Sequence, residues 1–371
     1  MKVIAFYLPQ FHTISENDEW WGEGFTEWRN VKKGKKYYEW QVQPRVPLNK
    51  NYYCLLDENV QVWQANLAKE YGIYGFCYYH YWFDGHMLLE KPMERMLTNK
   101  KVDIPFCVCW ANEDWTNAWV SSDEKTLISQ TYGDKEEWKR HYDYLSPFFK
   151  DDRYIVENGY PLFVIYRPEI IPCLNEMLEY WNQLAIKDGF KGIRFAYQNA
   201  GLDYPIQKDN SAFYYDIEMQ PIYAKIVNAG IKKRKIKNCV LNILKKMHLD
   251  WLRSGVNKVN GPKVFDYDEI WKTVIETPPI SDKSVPCAFV DFDNVCRREE
   301  QGWLFKGVSV EKFRVYFNEL VKKAKKEYSN DWMFIFAWNE WAEGGYLEPD
   351  EHNGYGYLEA IKECIKEKKD E

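Results

Sequence analysis

No stretch of this 371-residue chain is long and apolar enough to span a bilayer. The opening Met1-Lys2-Val3-Ile4-Ala5-Phe6-Tyr7, which reaches Pro9, has neither the apolar run nor the small-residue cleavage site of a secretory leader. A cytoplasmic protein is therefore expected. The six histidines show no HExxH or comparable spacing. Cys107-Val108-Cys109 lies in an apolar run, where alternate residues point to opposite faces, so the pair would not share an ion. No metal and no cofactor are expected. Nine cysteines, an odd number scattered from Cys54 to Cys364, fit reduced buried thiols better than a disulfide framework. Positive charge is also short: 50 Lys and Arg against 56 Asp and Glu leave a net charge of −6, which argues against nucleic acid as a partner. Internal repeats and low-complexity linkers are absent as well.

Aromatic residues are abundant. They make up 18% of the chain, with 17 Trp and 28 Tyr, more than one core needs, and flat rings are what sugar faces stack on. The length suits one large α/β barrel or two ordinary domains. Apolar runs bounded by turn residues predict eight buried strands: Lys2–Leu8, Gly75–Tyr81, Pro105–Trp110, Pro161–Tyr166, Gly192–Gln198, Ala212–Ile217, Pro286–Phe292 and Trp332–Trp338. Helical spacing falls between them over Asn59–Tyr71, Glu136–Phe149, Ile171–Lys187 and Val310–Tyr328. Strand alternating with helix in this way predicts a single-domain (β/α)8 TIM barrel over residues 1–361, with a charged tail at 362–371.

In such a barrel the chemistry sits where strands end. The second predicted strand ends through Tyr79 and His80 and runs into Trp82; the third ends on Trp110 and leads to Asn112 and Glu113; the fourth leads to Arg167. The seventh leads to Asp293 and Asn294, with Arg297 and Arg298 close behind, and the last to Trp338-Asn339-Glu340-Trp341-Ala342-Glu343-Gly344. Trp28, with Trp20 and Trp21, sits on an early loop and is read as a sugar-stacking rim or a cover over the barrel. An arbitrary ExxE is usually a solvated turn. Here Glu340 and Glu343 emerge among indole rings, and paired carboxylates in an apolar frame suit glycosidic-bond chemistry: one must hold a proton for the leaving oxygen while the other stays ionised. Both are the candidate catalytic residues. His80, Tyr79, Trp82, Trp110, Asn112, Glu113, Trp28, Arg167, Asp293, Asn294, Trp338, Asn339 and Trp341 are the candidate substrate-binding residues. The bland alternatives are that the strand-end polar groups close the barrel top among themselves, that Arg167 pairs with Glu169, and that Arg297-Arg298 is a solvated face rather than a pair that orients the carboxylates.

Five ordered pieces carry a family resemblance: Tyr7-Leu8-Pro9-Gln10-Phe11-His12, Trp20-Trp21-Gly22-Glu23-Gly24-Phe25-Thr26-Glu27-Trp28, Phe76-Cys77-Tyr78-Tyr79-His80-Tyr81-Trp82-Phe83, Trp110-Ala111-Asn112-Glu113 and Trp338 to Gly344. They resemble the WbsX-type glycosyltransferases, which in turn resemble glycoside hydrolase family 99, the endo-α-mannosidases and mannanases. The resemblance implies a part in O-antigen, lipopolysaccharide or capsular polysaccharide metabolism, with an oligosaccharide or polysaccharide substrate. It also implies a retaining mechanism without a protein nucleophile, in which Glu340 would take the proton of a sugar 2-hydroxyl and Glu343 would protonate the leaving oxygen. Ala342 stands where the hydrolases often carry a larger polar residue. A nucleotide- or lipid-linked-sugar transferase and a non-catalytic glycan-binding barrel stay open as alternatives.

One segment breaks the barrel rhythm. From Lys225 to His248 the chain carries Lys225, Lys232, Lys233, Arg234, Lys235, Lys237, Lys245 and Lys246 with no acidic residue, over an apolar stripe of Ile236, Val240, Ile243, Leu244 and Met247. An exposed insertion near 225–262 is the first reading. A basic amphipathic helix resting on the inner face of an anionic membrane, where lipid-linked glycan is made, is the second.

Overall fold

The structure is a computed structural model that describes residues 1–117, 125–201, 211–230 and 261–366. Eight parallel strands close into a barrel: β1 Lys2–Tyr7, β2 Ile73–Phe83, β3 Phe106–Trp110, β4 Tyr160–Ile165, β5 Arg194–Asn199, β6 Tyr215–Glu218, β7 in two halves, Ser284–Val285 and Cys287–Phe289, and β8 Trp332–Phe336. Each strand pairs with the next in sequence, and β8 returns to β1 with Lys2 opposite Trp332. Closure runs through β7. Its first half pairs with β6 (Asp216 opposite Ser284) and its second with β8 (Cys287 opposite Phe334). The break falls at Pro286, which has no N–H to give a ladder, although its carbonyl still accepts from the Phe334 amide at 2.9 Å.

Alternation along the strands sorts side chains to the two faces of the wall. Phe6 points inward, its ring stacked on Tyr79 at 5.6 Å and Phe334 at 5.2 Å. The neighbouring Tyr7 points outward, where its hydroxyl donates to Gln64 of the helix Glu58–Glu70 at 2.7 Å. The outer layer continues with the helices Lys91–Thr98, Lys135–Phe149, Leu174–Lys187, Tyr267–Glu276, Val310–Glu327 and Gly356–Ile365. Three of these start on side-chain caps, with Asp134, Asp266 and Ser309 each accepting from amides of the first turn. Such a cap contributes about 1 kcal/mol. Between wall and helices lie fully buried rings, among them Trp181 and Trp271, the latter stacked on Phe289 at 4.8 Å.

Of the basic segment, Lys225 belongs to the helix Ile222–Ala229, where its ammonium sits 3.7 Å over the Trp303 ring. Burial lowers its pKa to about 8. The remaining basic residues named above, and the end of the tail from 367, lie outside the described residues. Among the described residues no helix is long and apolar enough to cross a membrane.

Candidate active site

A pocket partly open to solvent occupies the C-terminal face of the barrel, and all eight strand ends contribute to it. Leu8 and Gln10 follow β1, Tyr79 and Tyr81 lie on β2, Glu113 and Asp114 follow β3, and Tyr166 follows β4. Ala200 follows β5, Met219 to Ile222 follow β6, Phe292 follows β7, and Phe336, Glu340 and Glu343 come from β8 and its exit. Trp21, Phe25 and Trp115 add rings to the wall.

The two glutamates are set by a tight hairpin. Asn339 and Glu340 pair antiparallel with Tyr346 and Gly345, and the 3-10 turn Trp341–Glu343 between them ends on Gly344 at φ 70°. That left-handed position suits glycine, and a Cβ there would lie 3.0 Å from the Asp293 amide nitrogen. Outside anchors hold the hairpin. The Asn339 side chain accepts from the Leu8 amide at 2.8 Å and donates to the Leu8 carbonyl at 3.0 Å, tying the exit of β8 to that of β1. The Asp293 amide donates to the Glu343 carbonyl at 2.7 Å. Trp341 stacks on Tyr346 at 3.8 Å and its indole donates to Glu348 at 2.7 Å.

Arg297, on the short helix Val295–Arg298, joins the carboxylates. Its Nη1 donates to Glu343 at 2.8 Å, its Nε to Glu27 at 2.7 Å, and its Nη2 lies 3.5 Å from Glu340. Arg297, Glu27 and Glu340 are buried, and Glu343 nearly so. One guanidinium faces three carboxyl groups, so the site favours retained protons. Burial pushes Glu340 up to about 8 against the opposing pull of Arg297, with Glu343 adding to the rise. Glu343 is raised by burial too, again opposed first by Arg297. The closer guanidinium contact leaves Glu343 the more readily ionised of the two.

Two of the predicted substrate-binding residues share the pocket with the glutamates. Tyr79 accepts from the Gln198 amide at 3.2 Å, and Glu113 is ion-paired to Arg167, which also holds Glu169. The others do not line it. His80 and Trp82 alternate with Tyr79 and Tyr81 and so face the helix Lys135–Phe149: the His80 ring nitrogen lies 2.9 Å from that of His141, and Trp82 stacks on His141 at 4.5 Å. Burial lowers the His80 pKa to about 3, so this imidazole is neutral. Trp110 packs on the same His141 at 4.8 Å. The Asn112 side chain donates to the Arg167 carbonyl and accepts from its amide, both at 2.8 Å, linking the exits of β3 and β4. Asp293 accepts from Gln41 and Gln43 at 2.8 and 3.1 Å, and Asn294 accepts from the Trp303 amide at 2.9 Å. Trp338 packs on Phe76 at 5.0 Å, and Trp28 on Trp341 at 5.4 Å. Ala342 is wholly buried. Glu27, Gln10, Phe25 and Trp115 also line the pocket: Gln10 and Trp115 follow the first and third strands but are not among the candidates, and Glu27 and Phe25 lie outside the strand-end pattern altogether. The only signal for Glu27 is its place one residue before Trp28 in an aromatic motif.

Comparison with known proteins agrees with this architecture. The chain is 32% identical over 366 residues to the uncharacterized protein WxcX of Xanthomonas campestris pv. campestris, in strains B100 and ATCC 33913. That match takes in 98% of this chain and 49% of the relative, so the chain spans about half the length of the curated relatives it matches. Among solved structures, a GH99 endo-alpha-mannosidase from Bacteroides thetaiotaomicron superposes with a TM-score of 0.55 at 11% identity, covering 98% of this chain and 95% of that one. A glycoside hydrolase-like protein superposes at 0.60 with 13% identity, covering 98% and 94%. These two share the fold. The family model described as Glycosyltransferase WbsX matches residues 3–361, and the chain belongs to that family.

Proposed function

We propose that this chain is a retaining carbohydrate-active enzyme that cleaves or transfers a glycosidic bond of a bacterial surface glycan, with Glu340 and Glu343 as its acid–base pair. The observation that carries the reading is the convergence of both carboxyl groups, with Glu27, on Arg297 in a pocket walled by aromatic rings. Burial separates proton affinity from bulk values in the way that acid–base work near neutral pH needs. The O-antigen or capsular role implied by the family resemblance makes the substrate an oligosaccharide or polysaccharide. The mannoside type is the first to try.

In the proposed route one glutamate removes the proton of the sugar 2-hydroxyl, and that oxygen attacks C1 as the C1–O bond to the leaving group breaks. The other glutamate gives its proton to the leaving oxygen. The product is a 1,2-anhydro sugar. The second glutamate, now ionised, then takes a proton from water or an acceptor hydroxyl, which opens the ring at C1, while the first returns its proton to O2. Two inversions at C1 give retention.

The family resemblance makes Glu340 the base and Glu343 the acid. A reversed assignment is favoured by the 2.8 Å against 3.5 Å contacts to Arg297 and by the higher proton affinity of Glu340. Glu340→Gln and Glu343→Gln separate the two readings. Each should lose roughly a hundredfold to ten-thousandfold in turnover while still binding substrate. Only the variant that lacks the acid should regain rate on glycosyl fluorides, whose leaving group needs no proton. Wild-type turnover by either variant, an inverted first product seen by NMR, or ready cleavage of a 2-deoxy analogue would overturn the proposal.

A further inference from the structure

A second pocket lies on the far side of the glutamate hairpin and shares no lining residue with the first. Arg45, Asp291 and Asp293 form its buried floor. The turn at Gly344 backs onto that floor: a Cβ there would lie 3.1 Å from Arg45 Nη2 and 3.0 Å from the Asp293 amide nitrogen. Trp40 also lines the pocket, and among the described tryptophans it is the one left exposed, at 40%. A lone surface ring would need no explanation. This one is fixed in place. Tyr38 stacks against it at 5.2 Å with 10° between the ring planes, and the Tyr38 hydroxyl donates to the Pro262 carbonyl at 2.9 Å. A ring immobilised before a ligand arrives has little rotamer freedom left to lose on binding.

Polar groups that the fold leaves unused converge beside this ring. The exposed side chains of Lys306 and His352 have no hydrogen-bond or ion-pair partner among the described residues. Asn353 donates from its amide nitrogen to Asp350 at 3.2 Å, which leaves its side-chain oxygen as an acceptor. Arg45 donates from Nη2 to Asp291 at 2.5 Å, while its buried Nε has no acceptor among the described residues, a rare state for a buried donor. Arg45 and Lys306 are set against Asp291 and Asp293, so the lining carries no excess of one sign that would select an ion. A flat fixed ring beside converging donors and acceptors suits a pyranose, which offers a C–H face to stack and hydroxyls to bind. We propose that this pocket is a second glycan-binding site, in which one pyranose unit stacks on Trp40 and its hydroxyls meet Lys306, His352 and Asn353. The choice of a glycan as ligand rests on the proposed function. A polysaccharide held here and in the first pocket at once would gain effective concentration at the glutamates.

The test is fluorine NMR of the whole chain with fluorotryptophan at every tryptophan, the Trp40 line being the one that Trp40→Phe removes. The lines of Trp21 and Trp115, which wall the first pocket, report on that site in the same sample. The probes are the methyl glycosides and short linear oligosaccharides of mannose, glucose, galactose and N-acetylglucosamine. At least one should move the Trp40 line saturably at about millimolar concentration, and Lys306→Ala/His352→Ala should weaken that binding about tenfold. Both replaced side chains are exposed, so the fold should tolerate the change, and the responses of Trp21 and Trp115 should stay as in the parent. A Trp40 line that no probe shifts saturably overturns the proposal, and so does a shift that the double variant leaves intact. A Trp40 line that moves with protein concentration in the absence of sugar assigns the ring to self-association and also overturns it. Response at Trp40 with none at Trp21 and Trp115 upholds this site and counts against the first pocket as a glycan site; the reverse sinks this proposal alone.

Discussion

Glu340→Gln should make the protein less sensitive to rising pH, at the same time as it removes turnover. The side chain is buried and its carboxyl is pushed from an ordinary 4.5 up to about 8. The folded state therefore binds more protons than the unfolded chain between those two values, and stability must fall as pH rises through that window. For a shift of this size the loss between pH 5 and pH 8 is about 3 kcal/mol, at 1.36 kcal/mol per unit. The substituted amide is neutral throughout and keeps the shape of the side chain. In a chain of this length about 3 kcal/mol corresponds to roughly 4 °C in Tm. Urea and thermal unfolding of both proteins at pH 5 and pH 8 measures the effect. The difference in stability, variant minus parent, should grow in the variant's favour by about 3 kcal/mol from the lower to the higher pH. Parallel profiles would refute the claim that this carboxyl is held neutral by burial.

Two further outcomes follow from the same cluster. Arg297→Gln leaves Glu27, Glu340 and Glu343 without their shared guanidinium, and should cost about 3–5 kcal/mol at pH 8 but much less at pH 5, where Glu340 and Glu343 take up protons. Equal losses in urea unfolding at both pH values would assign the effect to packing instead. Gly344→Ala forces a Cβ at φ 70° to within 3.0 Å of the Asp293 amide, and should cost roughly 1–3 kcal/mol while displacing Glu343. It should lower kcat more than it raises KM; an unchanged kcat would mean that the hairpin tolerates the shift.

Strand positions and strand-end chemistry are legible because a parallel strand buried on both faces reads as an unbroken apolar run whose polar residues start where the barrel ends. The same run hides which side chain faces which way. Tyr79, His80 and Trp82 read as one cluster along the chain, yet the two-residue period puts Tyr79 in the pocket and His80 and Trp82 against His141. Asn112 and Asn339 stand out as polar groups at strand ends, but each forms a clasp between neighbouring strands, a pairing that depends on loops far apart in sequence.

The local sequence by itself determined the alternation of strands and helices, the glutamate pair three residues apart on one tight turn, and its aromatic setting. Those follow from short-range rules of burial period and turn chemistry. Only the tertiary structure decided what the glutamates would face. Arg297 lies more than forty residues before them and Glu27 at the other end of the chain, and barrel closure gathers Glu27 and both glutamates around the one guanidinium. Proton affinity is a property of that assembled neighbourhood, of desolvation and of charges from distant segments, and no local reading of the chain contains it.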